Sequence, residues 1–275
     1  TGSVGDGQRL AAELQHRLEP FRPGLAGIEV SDAWLCPPGS AEAGVPLVRL
    51  TLVSRGQTVA ITEGNLLADR TAVRGSAFLD AARIIGRRQL DAYELVLDLF
   101  PEQTAAGLAQ MLSRGWQKTK QAAATLNACG LEHSLARGLA EKFARLFAAG
   151  SFCPELSQAL KSIPIQVRGI RPLKEAIVTI GGVSLADINP GTMESRLQPG
   201  LFFAGEVMDI DGPTGGYNLQ AAFATAELAV SSICQRLAPA PPAKAAPSPA
   251  RRPAGKSPGD KKQAWGKDFW QKRPR

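Results

Sequence analysis

The spacing of apolar residues changes several times along the chain, and each change marks an element. Leu10, Leu14 and Leu18 recur every fourth residue behind a glycine-containing turn, TGSVGDG, which predicts a short amphipathic helix with that side buried. From Phe21 to about Leu79 short alternating or β-branched runs take over (GIEV, PLVRLTLVS, QTVAITEG), separated by Pro and Gly clusters such as CPPGS. That pattern predicts a small antiparallel β unit. Helical spacing returns between about Ala81 and Ala149. Leu108, Met111, Leu112 and Trp116 recur at helical steps after Pro101, and Leu135, Leu139, Phe143 and Leu146 do so before Gly150. Residues 160–170 (LKSIPIQVRGI) look extended again, and two strand-like runs follow, EAIVTIGGV at 175–183 and GLFFAGEV at 200–207. In the last periodic segment, Tyr217 to Leu237, the residues Leu219, Phe223, Ala226, Val230, Ile233 and Leu237 step by four and three. One face of this helix is therefore predicted to be buried, and Pro239 limits its continuation.

The stretch GPTGGYNLQAAFATAELA, from Gly212 to Ala229, carries the clearest chemistry. Five small or rigid residues run straight into the last helix. A helix begins with unpaired backbone N–H groups and the positive end of its dipole, which favours a negative ligand group. Glycines just before it let a ligand approach the backbone without a Cβ in the way. The run GLFFAGEV ends in Gly205–Glu206, and a short acidic turn, MDIDGP, leads on to the loop. Glu206 and the glycine loop are thus predicted to lie together at the carboxyl end of a strand, where open α/β sheets bind ligands.

On these residues the chain resembles a bacterial family of NAD(P)/FAD-dependent oxidoreductases of the aminoacetone-oxidase-like type. The resemblance rests on GGVSL at 181–185, TMES at 192–195, GLFFAGEV at 200–207 and TGGYNLQ at 214–220, and on TGSVGDGQRLAAELQH at the start. It covers about residues 1–237. It implies an α/β fold: part of a Rossmann-like FAD-binding domain with an inserted β-barrel-like unit and a small helical unit. The implied boundaries are 1–20 and 174–237 for the FAD-binding domain, 21–82 for the β unit with a return strand at 156–173, and 83–155 for the helical unit. The implied cofactor is FAD, with Gly205 and Glu206 at its ribityl and pyrophosphate-side hydroxyls. Gly215, Gly216, Tyr217, Asn218 and Leu219 would face the flavin pyrimidine edge, and Thr1 and Gly2 would lie near the dinucleotide. The implied activity is hydride transfer between flavin and a small-molecule substrate, with NAD(P)H or oxygen as redox partner. No residue is assigned a catalytic role.

The chain departs from that pattern in two places. A strand, GxGxxG, helix and ribose-binding acid should open such a domain. GSVGDG at 2–7 has other glycine offsets, so the chain reads as amino-terminally truncated or one part of a split protein, and by itself is expected to bind FAD weakly or not at all. In the β unit, LADRTAVRGSAFL at 67–79 replaces a histidine-containing motif, with Arg70 near the histidine position and Ala77 near that of a proline. Either substrate handling differs there or a role of that motif has been lost.

Charge and cysteine usage add a second picture. The net charge of +7 is concentrated at the end: from Ala238 to Arg275 ten Lys and Arg face only Asp260 and Asp268, a net +8, which leaves −1 for the remaining 237 residues. This segment, rich in Pro and Ala, reads as a disordered basic tail. Its Trp265, Phe269 and Trp270 interleave with cations as in sequence-tolerant nucleic-acid contacts. A non-enzymatic remnant whose tail meets RNA or an acidic partner is the alternative reading. Four scattered cysteines without a CxxC are read as thiols of a reducing cytosol, which makes the expected location cytoplasmic. No apolar run is long enough to span a membrane. Asp209 and Asp211 are read as solvated or capping acids rather than a metal pair, and no metal site is expected.

Overall fold

The computed structural model describes residues 3–40, 42–149 and 153–238. Thr1, Gly2 and the basic segment beyond Ala238 lie outside the described residues. Helix α1 (Asp6–Glu13) leads into strand β1 (Leu18–Gly24). Six further strands, β2 (Ile28–Val30), β3 (Ala43–Ser54), β4 (Gln57–Ala68), β5 (Ala72–Arg74), β6 (Glu94–Asp98) and β7 (Ile163–Ile165), join β8 (Val167–Ile170) in one antiparallel sheet. Its order is β7-β6-β3-β4-β5-β2-β8. The β3–β4 hairpin turns at Arg55–Gly56, both at positive φ, and irregularities at Val45/Val48 and Leu52/Val53 bend it.

No ladder joins β7 to β8 among the described residues, so the barrel-like expectation is corrected: the sheet is open. Its two edges nevertheless lie one residue apart in the chain. Gln166, between β7 and β8, donates its N–H to Asp32 Oδ2 at 2.6 Å and accepts the Ser31 N–H at 2.9 Å. Asp32, buried, also accepts the Trp34 indole N–H at 2.7 Å.

Helix α2 (Ser76–Arg88) packs on β4 and β1 through Ala77, Phe78, Ala81, Ala82 and Ile85. Helices α3 (Ala105–Thr119), α4 (Ala122–Ala128), α5 (His133–Lys142), α6 (Ala144–Phe147) and α7 (Cys153–Leu160) continue the same apolar core, with Leu108, Leu112, Leu126, Leu135, Leu139 and Leu156 fully enclosed. Strand β6 interrupts the stretch expected to be helical. Its Leu95 and Leu97 alternate into the core, a period of two too short to stand out between long helices.

Strand β9 (Val178–Val183) pairs with β1 alone, Leu18 opposite Val183 and Gly24 opposite Val178, apart from a single parallel bridge between Val183 and Met208. The expected strand at 200–207 forms only one bridge, Phe202 to Glu194, and then a 3-10 turn at Gly205–Val207. Its backbone bonds locally instead: Phe203 N–H to Met193 O and Ser195 N–H to Leu201 O. A strand needs a neighbour along its edge, and the described residues offer this run none. A small second core joins Ala11, Val183, Ile188, Met193, Phe203, Met208 and Ala229.

Helix α8 (Tyr217–Leu237) spans the expected residues, but its apolar face is outward. Leu219, Phe223 and Val230 are 67%, 74% and 58% exposed, and Ala229 is its buried residue. Leu10 and Leu14 near α1 are exposed as well. Periodicity identifies a face suited to burial; it does not supply the layer that covers it.

Candidate functional site

Between α1, β1, β9 and the Gly205–Val207 turn lies a cavity of about 490 Å³, lined among others by Ser3, Gly5, Gln8, Phe21, Lys174 and Glu206. Gln8 Nε2 donates to the Glu206 carbonyl at 3.5 Å, and Gly205 N–H donates to Thr225 Oγ1 of α8 at 3.0 Å. The Gly205–Glu206 pair is thus held between the two helices at a cavity rim. Partial burial there pushes the Glu206 carboxyl above the ordinary carboxylate range. A half-buried carboxylate on a cavity that Lys174 also lines suits a ligand that brings hydroxyl donors and negative charge.

The glycine loop forms the second half of the site. Gly215 and Gly216 take φ of +107° and +90°, which side chains resist, and Gln220 N–H closes the first helical turn on Gly216 O at 3.0 Å. The amides of Tyr217, Asn218 and Leu219 precede that bond, in the first turn where no intrahelical acceptor exists. Tyr217 and Leu219 are largely exposed. Asn218 turns its side chain back on the loop: Oδ1 accepts the Gly212 N–H at 2.8 Å and Nδ2 donates to the Gly212 carbonyl at 3.0 Å. It shapes the loop with its side chain and offers a ligand its backbone. The sequence suggested that Glu206 lies with the glycine loop; the contact the structure gives is from Gly205 to Thr225, about two turns further along α8.

Sequence reading missed what holds the loop from outside. On α2, Asp80 Oδ1 accepts the Thr214 N–H at 2.7 Å and Oδ2 accepts its hydroxyl at 2.9 Å. Arg83 Nη1 meets Asp211 Oδ2 at 3.0 Å, and Arg87 bridges Asp209 (2.7 Å) and Asp211. Asp209 Oδ1 also accepts the Gly181 N–H at 3.1 Å. The two acids of MDIDGP are thus neither capping nor solvated; the Asp211 side chain is wholly enclosed. A signal existed: Asp80, Arg83 and Arg87 share the helix face opposite the apolar one.

Two further groups of polar side chains are structural. His16 is buried, with Nδ1 3.1 Å from Ala11 O and Nε2 2.7 Å from Ser195 Oγ, and its ring meets Phe203 edge-on. The carbonyl only accepts, which places the proton on Nδ1, and the Ser195 hydroxyl donates to Nε2 while accepting the Leu197 and Gln198 N–H groups. This Ser–His pair is fully used in holding the 195–203 loop. Arg74 is paired with Glu42 and Asp69, and Arg70 is exposed on the β4–β5 turn. Among the described residues no cluster of three or more His, Cys, Asp or Glu could hold a metal, and no helix is long and apolar enough to cross a membrane. The cysteines Cys36, Cys129, Cys153 and Cys234 are unpaired in disulfides.

Beside His16, the Arg17 side chain and N–H both bond Asp187, at 2.8 Å each, and hold its carboxyl below the usual carboxylate range. A depressed carboxyl stabilises the fold fully above its unfolded value, near pH 4, and the contribution is lost as pH falls through the lowered value. Asp187→Asn is accordingly expected to lose less stability than the native protein between pH 5 and pH 2, measured by urea midpoints across that range.

The profile of the family described as HI0933-like protein Rossmann domain matches residues 1–232, and the chain belongs to that family of FAD-dependent oxidoreductases. It is 27% identical over 245 residues to the 3-dehydro-bile acid delta(4,6)-reductase of Clostridium scindens, covering 86% of this chain and 59% of that protein. It is also 47% identical over 62 residues to the ribosomal RNA dihydrouridine synthase of Escherichia coli and 43% over 68 residues to that of Haemophilus influenzae. Those matches cover 22% and 25% of this chain, and 16% and 17% of the two synthases. The chain thus spans little more than half of the first relative and a smaller share of the others.

Proposed function

Starting from a chain that belongs to the HI0933-like family, we propose that this protein works as an FAD-dependent reductase that saturates a carbon–carbon double bond conjugated to a carbonyl. The observation that supports the reading is the Glu206 cavity, whose Gly205 is tied through Thr225 to α8, the helix that the bare glycine loop opens. The names of its relatives supply the substrate chemistry. A Δ4,6 double bond beside a 3-keto group and the 5,6 double bond of uridine are both polarised by a carbonyl, and both accept hydride at the carbon remote from it.

FAD, when bound, supplies that hydride. Glu206 would accept hydrogen bonds from ribityl-side hydroxyls, Lys174 would offset negative charge of the dinucleotide, and the amides of Tyr217, Asn218 and Leu219 would stabilise negative charge on the pyrimidine edge. Gly5 and Gly7 present bare backbone to the same cavity. NAD(P)H is the proposed source of electrons, with oxygen as a competing acceptor. A second reading makes the substrate a base within RNA. The ribosomal RNA relatives and the +8 of residues 238–275 support it, and retention on RNA that falls steeply with salt, and falls on deleting that segment, is its test.

The test of the main reading is the visible spectrum of the full-length protein from the native gene, purified without added cofactor. Oxidised-flavin bands uphold it; a protein that stays colourless with added FAD overturns it in favour of a non-enzymatic remnant. Glu206 gives the reading a pH signature. Ligand hydroxyls favour the ionised carboxylate, so FAD affinity is expected to rise with pH through the raised value of Glu206 and level off above it. Glu206→Gln flattens that profile, and Glu206→Ala weakens binding roughly ten- to hundredfold, as befits a hydrogen bond to a charged group. Flavin-fluorescence titrations between pH 4 and 8 read both.

A further inference from the structure

We propose that Asp80, Arg83 and Arg87 are positioning residues for the glycine loop, so that one face of α2 sets the aim of the first-turn amides of α8. The proposal rests on the FAD reading above and goes beyond it, because it assigns the geometry of the flavin site to a helix of the inserted unit.

The argument is one of constraint. The loop from Asp209 to Gly216 contains three glycines and a proline and has no ladder of its own, so its backbone is held only by what reaches it. From within, Asn218 grips both backbone groups of Gly212. From outside, every remaining polar tether on residues 209–214 that runs to a helix among the described residues comes from α2: Asp80 takes the N–H and the hydroxyl of Thr214, and the two arginines take the two acids. Thr214 stands three residues before the helix begins, so the Asp80 bonds fix the approach of the chain to the turn that presents the amides. The opposite face of α2 is locked into the main core through Ala77, Phe78, Ala81, Ala82 and Ile85. A shift of α2 therefore moves the loop, and a loop freed from α2 keeps its sequence and loses its aim. Arg83 Nε, buried and without a hydrogen-bond partner among the described residues, shows that this contact is kept at a cost in unsatisfied polarity.

The amides at issue act on the charge of the reduced ring, so their misalignment shows in the balance between reduced and oxidised flavin. Asp80→Ala in the full-length flavin-loaded protein is expected to weaken reduced relative to oxidised FAD about tenfold, a fall of about 30 mV in the two-electron midpoint potential. Asp80→Asn keeps an oxygen for the Thr214 N–H and gains a donor for its hydroxyl, and is expected to retain the native potential. Amide exchange at residues 214–219 is expected to quicken in Asp80→Ala and to stay native in Asp80→Asn. A flavin-loaded Asp80→Ala protein with unchanged potential overturns the proposal, as does an equal shift in both variants. A native protein that takes up no FAD overturns the flavin reading first and this proposal with it. Exchange at 214–219 in that protein then reports separately whether α2 holds the loop.

Discussion

Gly182→Ala is expected to destabilise the protein by about 3–5 kcal/mol and to abolish flavin uptake in whatever fraction still folds. Gly182 sits in β9 at φ +135°, where a side chain adds backbone strain of about 1–3 kcal/mol. A Cβ there would lie 2.7 Å from the Val207 and Met208 carbonyl oxygens, so the 206–208 turn would have to withdraw. Overpacking against backbone adds a further 1–3 kcal/mol or so, because no side chain can swing aside. The same displacement carries Glu206 away from Gln8 and opens the cavity. Neighbouring Gly181 sets a similar limit on the other side, since its Cβ would lie 2.4 Å from the Pro20 carbonyl of β1. The pair GG is thus the point where β1, β9 and the Glu206 turn approach one another through bare backbone. A fall in the denaturation midpoint at constant slope, with loss of the flavin bands, is the expected result. A folded, yellow Gly182→Ala protein would show that the turn can relax without cost to the site.

How much of this was legible beforehand depends on the range of the interaction. The helix start at Tyr217, the bare loop before it and the Gly205–Glu206 pair all follow from local chemistry, and the structure ties Gly205 to that same helix at Thr225. The antiparallel strands at 43–74 and the extended stretch near 163–170 follow from alternation. What escaped reading was non-local. Nothing near Asp211 announces Arg83, which lies 128 positions earlier. GLFFAGEV has the composition of a strand, yet pairing is a property of its neighbours, and the described residues provide one bridge. The apolar stripe of α8 shows the same limit from the other side: Leu219 and Phe223 are spaced for burial and stand exposed. Asn218 illustrates a subtler case, in which position was predicted and the side chain's partner, Gly212, was not.

The second large effect concerns that long-range pairing. Asp211→Ala is expected to cost roughly 3 kcal/mol, because it strips the shared carboxylate from Arg83 and Arg87 and leaves charge in a partly enclosed place. The arginine side chains retain 20% and 37% exposure, so water offsets part of the loss and the effect falls at the low end for a broken buried pair. The companion variant separates stability from positioning. Arg83→Met with Asp211→Leu replaces the charged contact by apolar contact of similar size, which also removes the unsatisfied Arg83 Nε, and is expected to recover most of the lost stability. If the contact serves the loop's geometry, the recovered protein still holds flavin with a lowered midpoint potential, since Arg87 and Asp209 alone then tie the acidic turn to α2. Urea midpoints read the first quantity and the flavin couple the second. Recovery of both together would make the arginine–aspartate cluster a packing device. Recovery of stability alone would make it a geometric one, retained because apolar contact does not fix the backbone from Asp209 to Thr214 in one orientation.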